Sequence, residues 1–279
     1  MIPGERHIEW SDVREVAQRR GRNSEWPAGW DRLAALWLPG WDGLNSHDIL
    51  GRYHMTAVNT PTRSVGALGP CILFDDAAPA DYLIAAGAPV VGTPLTMACW
   101  FLSDSSSLRQ TLMAVSDTDI ARAFRLEADG AWAGDPISFV ATKGADALAR
   151  STTGYGANQC HHACGVSVSA DVRHAYCDGG SKGSDTSDVV PTELDNATLG
   201  ILAYNGTLYR PLSGRLMLPT IWSRALSDAE VKYHYDRGWW EMLTPRPEME
   251  SMYVPSGEEP AATPWLYAPR SSRVIGACA

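Results

Sequence analysis

Residues Gly214 to Glu230 read GRLMLPTIWSRALSDAE. The first nine letters are mostly apolar, with no helical period, and read as a strand. Thr220 and Trp222 stand two apart, so both side chains leave the same face of it. The stretch then changes character. Ser227 and Glu230 have the S-x-x-E spacing of a capping box, in which the serine hydroxyl accepts from the glutamate N–H and the glutamate carboxylate accepts from the serine N–H. A helix of two to three turns is expected to follow, with Val231 and Tyr235 toward the body of the protein. A long strand that runs into a short capped helix fixes the end of a β domain.

Upstream the chain keeps to β patterns. LTMACWFL, TLMAVSD, ARAFRLEADG, ISFVAT, HHACGVSVS, RHAYCDGG and ATLGILA follow one another between Gly- and Pro-containing connections. Many short strands at this spacing predict an all-β, two-sheet antiparallel jelly-roll sandwich. Asp178-Gly179 lies between two strand-like segments, and Asp-Gly takes the positive φ angles of a type I′ hairpin turn. The ends differ. Residues 1–30 are expected to hold a short helix from Ser11 to Arg20 followed by a loop, and are read as an N-terminal helical arm or docking segment. Residues 244–279 contain six prolines in 36 positions and are read as a Pro-rich extended tail. The sandwich with its short C-terminal capping helix is assigned to residues 31–243.

The motifs TPLTMACWF, HHACGVSVSADVRHAYCDGG and LSGRLMLPTIWSRALSDAEVKYHYD occur in an order that resembles the laminin-G-like, concanavalin A-like lectin/glucanase superfamily, most of all the subgroup common in bacterial and bacteriophage proteins. The resemblance covers roughly Leu33 to Leu243, and Gly214–Glu230 is its most specific part. It implies a jelly roll whose helix caps one edge. Trp100, Asp178, Gly179, Trp222, Ser227 and Glu230 are then fold-making residues, with Trp100 expected to fill the space between the sheets. Cys160 departs from the pattern, standing where relatives have Trp.

Composition narrows the function classes. A net charge of −9 argues against non-specific nucleic-acid binding, and no run of eighteen apolar residues predicts a membrane span. The N-terminus shows no apolar core of a secretory signal. Eleven Trp and ten Tyr against four Phe suit sugar-binding grooves, although Trp in a β-sandwich is more often core. The glycosidases of the superfamily share an E-x-D-x-E strand, and the chain has none. It also lacks a G-x-S-x-G elbow, a Walker loop and H-E-x-x-H, so no catalytic residues are assigned and the protein is read as a non-enzyme. A sugar site needs an aromatic platform beside planar polar groups. Trp132 in DGAWAGDP, with Tyr155 and Asn158 in TGYGANQ, are the candidate carbohydrate-binding residues. No cofactor is expected. Calcium is the open alternative, through the loop carboxylates Asp104, Asp117, Asp119 and Asp185.

Cys160–Cys164 reads CHHAC and looks like a metal site. Alternation in a strand takes it apart: Cys160, His162 and Cys164 face one way and His161 the other, and the two sulfurs' residues stand about 13 Å apart. No metal is assigned, and the six cysteines are expected as thiols. The function expected is a non-enzymatic, lectin-like module, by resemblance a bacteriophage virion component (decoration, fibre or tail-associated). It would bind surface glycans or reinforce the particle, and touch copies of itself and other virion proteins through residues 1–30 and 244–279. A bacterial carbohydrate-binding cell-surface module and, behind it, a glycoside hydrolase are the alternatives.

Overall fold

The computed structural model describes residues 31–238, apart from 42, 119–120 and 205–206. The expected helix at Ser11–Arg20, the arm and the Pro-rich tail lie outside the described residues. Within them the chain is an all-β sandwich in which every strand pairing is antiparallel. One sheet runs β13 (Gly180–Asp185), β12 (Val172–Cys177), β11 (Cys160–Ser169), β6 (Leu95–Ser103), β17 (Gly214–Trp222), β4 (Gly69–Phe74) and β3 (Thr62–Gly66), with β1 (Leu33–Leu36) paired onto β17. The other runs β10 (Ala145–Gly154), β9 (Pro136–Lys143), β8 (Arg122–Asp129), β7 (Arg109–Ser116), β14 (Asn196–Leu199), β5 (Tyr82–Ala86) and β2 (Thr56–Val58). A small hairpin, β15 (Leu202–Tyr204) and β16 (Thr207–Tyr209), lies over β7.

The core between the sheets takes Met97, Cys99 and Phe101 from β6, Leu216 and Ile221 from β17, and Phe124, Leu126 and Phe139 from the facing sheet. Each such side chain contributes about 1.5–3 kcal/mol by leaving water. At one edge the two sheets touch backbone to backbone. A Cβ on Gly183 of β13 would lie 1.5 Å from the carbonyl oxygen of Arg150 on β10, so only glycine lets the edges close there.

Trp100 is not between the sheets. It lies on the outer face of the eight-stranded sheet, buried with Cys71 and Met217 and stacked on Tyr235 at 5.2 Å between centroids. Trp222 shares that face with Leu36, Leu38, Ile49, Cys164 and Val231. A third layer therefore covers this sheet: the segment 36–50, helix α1 (Asp228–Tyr233) and a π turn (His234–Gly238). The segment is organised by the buried Asp48 carboxylate, which accepts from the backbone N–H groups of Leu36, Leu50, Arg52 and Tyr53. The helix starts on the expected capping box, with Glu230 N–H donating to Ser227 Oγ at 3.3 Å and Ser227 N–H to Glu230 Oε2 at 2.8 Å. Val231 is buried, as its position in the pattern required.

The hairpin turn is also as expected. Cys177 pairs with Gly180, leaving Asp178 and Gly179 as a two-residue loop with φ of 51° and 70°. A Cβ on Gly179 would meet the Tyr235 side chain at 2.6 Å, so the π turn and the hairpin fit only because that residue is glycine.

His162 and His234 join the third layer to the sheet. His162 Nε2 and His234 Nδ1 are 3.0 Å apart, both rings are buried, and Trp100 and Trp222 pack edge-on against them. One N–H serves that bond, so at least one of the two imidazoles is neutral. Burial pushes His234 down to about 4, and burial with the neighbouring His234 pushes His162 well below its ordinary value.

Two predictions follow from these contacts. Gly183→Ala should cost about 1–3 kcal/mol in urea unfolding, because β10 must move, while Gly180→Ala, with open space at its Cβ, should change stability by less than about 0.5 kcal/mol. The histidine pair predicts a pH dependence. Unfolded imidazoles protonate at about 6.5, whereas folded His234 resists until about 4 and folded His162 is held well below its ordinary value, so the unfolded state binds more protons between about pH 6.5 and 4. The stabilisation is complete above about pH 6.5 and is lost as pH falls toward 4. His234→Gln should flatten that slope by about one proton in unfolding curves taken between those limits; an unchanged slope would place the titration elsewhere.

Candidate binding site

The reactive letters of CHHAC are divided by the sheet. Cys160 packs with Trp100, Cys164 with Trp222, and His162 with His234, all on the outer face. His161 points the other way, toward Phe101 and Tyr155. Burial pushes the Cys164 and Cys177 thiols up, and Cys99 likewise, so these are protonated, unreactive core groups. The five described cysteines are all free thiols, and Cys278 lies outside the described residues.

Among the described residues, one group of metal-ligand type converges: His161, Cys177 and Asp178. The hydrogen bonds show why it does not behave as a metal centre. Gly156 N–H donates to His161 Nε2 at 3.0 Å, which puts the ring proton on Nδ1, and Nδ1 donates to Asp178 Oδ2 at 2.8 Å. Moving the proton to Nε2 to free Nδ1 for an ion would set two N–H groups against each other. Cys177 is protonated and directed at the Gly154 carbonyl oxygen. The trio ties the loop after β10 to the hairpin. The calcium candidates are scattered: Asp185 is ion-paired with Arg173, Asp104 accepts from Ser213 Oγ at 3.3 Å, Asp117 is buried beyond the end of β7, and Asp119 lies outside the described residues.

The outer face of the seven-stranded sheet is different in kind. On β8, Phe124, Leu126 and Ala128 enter the core, so Arg125, Glu127 and Asp129 leave the opposite face. Glu127 is completely buried there and its two oxygens are fully occupied. Oε1 accepts from Arg125 at 2.8 Å and Arg210 at 2.6 Å, and Oε2 from Arg109 at 2.6 Å. Asp129 accepts from Ser138 Oγ at 3.1 Å and from Arg150 Nε at 3.3 Å, with Arg109 Nε 3.7 Å from its other oxygen. Arg125 continues the row to Thr142 and, at 2.5 Å, to Asp146. Burial works to raise the Asp146 carboxyl, but the Arg125 charge and the Thr142 hydroxyl hold it below its ordinary value.

This network ends at Trp132. The loop between β8 and β9 is a pair of tight turns, with Trp132 N–H donating to Asp129 O and Asp135 N–H to Trp132 O, both at 3.0 Å. The indole stands 54% exposed, and the Arg150 guanidinium carbon lies 3.8 Å from its ring centroid. The loops carrying Tyr155 and Asn158 come to the same end of the sandwich. Tyr155 N–H donates to Asp135 O, and Asn158 N–H to Ser103 O at 2.8 Å. Asn158 is exposed, with φ of 60°. Tyr155 is a correction to the expected platform. It is only 4% exposed, packs edge-on against Phe101 and bonds Ser105 O through its hydroxyl, so its ring has no free face. Burial pushes its phenol up to about 12.

Trp132 is exposed, as the sequence led one to expect, and the groups around it were not anticipated. A signal existed: F-R-L-E-A-D at 124–129 alternates apolar and charged residues, which marks a strand with one charged face. Arg150, twenty-one residues from Asp129, carries no local sign of its role. An open groove of about 470 Å³ lies further along the same sheet, lined by Thr56, Ile84, Ala86, Thr118 and Asn196.

Comparison with known proteins places this geometry. Residues 76–232, more than half the chain, match the sequence profile of the concanavalin A-like lectin/glucanases superfamily of laminin-G type. No curated protein matches the sequence. Among solved structures, domain 4 of AbnA, a GH43 extracellular arabinanase from Geobacillus stearothermophilus solved in complex with arabinotriose, aligns with a TM-score of 0.60 at 17% identity. That alignment covers 72% of this chain and 97% of the domain. The binding domain of Paraclostridial Mosquitocidal Protein 1 aligns with a TM-score of 0.56 at 12% identity, over 74% of this chain. The receptor-binding domain of botulinum neurotoxin D does so at 0.53 and 11%, over the same share of this chain. The chain spans about half the length of these two toxin domains, 52% in each. At such identities the likeness is one of fold. With two antiparallel sheets and a profile match over most of both, the chain belongs to the concanavalin A-like lectin/glucanase superfamily.

Proposed function

We propose that this protein is a non-enzymatic, lectin-like module that binds a glycan against Trp132. The observation that carries the reading is the indole itself: more than half exposed, held from one side by Arg150, and seated on a loop fixed by its own turns. An exposed aromatic held rigid by its neighbours offers a sugar ring a stacking face at small entropic cost. Asn158, exposed at the same end, supplies a hydrogen-bonding amide. Retaining hydrolysis needs one carboxylate free to attack and another free to give a proton. Glu127 and Asp129, the carboxylates nearest to that role, have their oxygens taken by arginines and Ser138, which supports binding over hydrolysis.

The setting we propose is the surface of a bacteriophage particle, as a decoration, fibre or tail-associated component. Residues 1–30 and 244–279 would attach it to other virion proteins and to copies of itself. The capped helix pattern and the proline content of those segments support attachment arms. Mass spectrometry of purified particles should then detect this chain in fixed stoichiometry with the coat; a chain found only in the soluble lysate would remove the virion setting.

The binding reading predicts that the full chain retains saccharides on a glycan array that includes arabino-oligosaccharides such as arabinotriose. Trp132→Ala should weaken binding by about tenfold or more while changing unfolding stability by less than about 1 kcal/mol. If the wild-type chain retains no saccharide, the lectin reading is wrong.

A further inference from the structure

We propose that the Trp132 site selects glycans bearing a carboxylate, of the uronic or sialic acid class, and that Arg150 is the group that recognises it. The inference rests on the glycan-binding reading of Trp132 and adds the ligand class.

Arg150 is fixed at two points and open at a third. Its guanidinium lies 3.8 Å from the Trp132 ring centroid, and its Nε donates to Asp129 Oδ2 at 3.3 Å. Its two Nη groups make no hydrogen bond to any described residue, and the side chain is 25% exposed. A guanidinium held by stacking and by Nε presents its remaining N–H groups as a planar fork, the shape that takes a carboxylate through two parallel bonds. A neutral sugar makes little use of such a fork, since its hydroxyls are served as well by amides.

The surroundings favour an anion. Arg109, Arg125, Arg150 and Arg210 stand against Glu127, Asp129 and Asp146, four cations to three carboxylates, on a chain whose net charge is −9. The network's carboxylates Glu127 and Asp129 are also neutralised. Both oxygens of Glu127 are bound by arginines, and Asp129 is 2% exposed and held by Ser138 and Arg150. Neither of these two buried carboxylates is left unpaired to repel a bound carboxylate.

The test is titration of the full chain with matched pairs: oligosaccharides bearing uronic or sialic acid, and the same compounds after carboxyl reduction. The acidic member of a pair should bind about tenfold more tightly at low salt, and the preference should shrink as salt is raised. Arg150→Gln should abolish the preference, weakening the acidic member about tenfold more than the reduced one, while Arg150→Lys, which keeps the charge but not the fork, should retain part of it. Trp132→Ala should weaken both members. Thermal unfolding of each variant separates lost recognition from lost fold. Equal binding of the two members, or a preference that survives Arg150→Gln in a folded protein, overturns the proposal and leaves the lectin reading in place. Binding of neither member, with an array that is also blank, removes both.

Discussion

Strand β6 is buried along its whole length on both sides, all nine residues from Leu95 to Ser103. A strand in a simple two-layer sandwich shows one face to the partner sheet and the other to water. Here Met97, Cys99 and Phe101 go to the inter-sheet core, and Thr96, Ala98 and Trp100 need cover on the far side. The segment 36–50, the capped helix and the π turn supply it. Thr96 shows how closely the cover is fitted, since its hydroxyl donates to Arg224 O and accepts from Leu226 N–H at the entry to the helix. The outer face of the seven-stranded sheet is buried as well along β7, β8 and β9, with the β15–β16 hairpin over β7, and it carries the arginine–carboxylate network.

That face is not apolar, which sets how it can be used. A buried carboxylate with three arginines adds little net stability, because desolvation of the charges offsets most of their attraction. Its effect is geometric. Arg109, Arg125 and Arg210 come from three different places in the chain and are held to one oxygen pair, so any shift of β7, β8 or the segment after β16 strains several bonds at once. A row of this kind is a stiff base, and Arg150 and Trp132 stand at its end. The same saturation that makes the carboxylates good supports makes them poor acids, bases and nucleophiles.

The fold was legible wherever a feature is carried by neighbours in sequence. The capping box needs residues three apart, and the type I′ turn needs one Asp-Gly pair, and both stand as read. The two-sheet class followed from strand count and turn signals. Trp100 was misplaced because β6 has no polar alternation: when both faces are apolar, periodicity cannot say which side a given residue takes. Tyr155 failed for another reason. A Gly-rich loop reads as exposed, but this one folds inward over Gly130, where even a Cβ would strike the Tyr155 hydroxyl at 2.7 Å. Trp132 was visible because an aromatic between Gly and Pro signals has no strand to bury it. Arg150 was not, since the meaning of a cation lies in what it faces.

The five letters CHHAC show how misleading reactive residue types are when taken as a cluster. Four potential ligands in five residues are separated by the pleat, and each is then claimed by something distant: His161 by Asp178, seventeen residues on, and His162 by His234, seventy-two residues on. Once His161 accepts from Gly156 N–H, its tautomer is set, and with it the donor role of Nδ1. Once His162 and His234 are buried against each other, a charge on either is opposed by desolvation. These histidines are bound into the architecture by the bonds that make them look active. Arg150 is the opposite case: it is bound at Nε and on its flat face, and its Nη groups have no protein partner among the described residues. A polar group with part of its capacity used for placement and part left over is better placed for recognition than one whose capacity is spent.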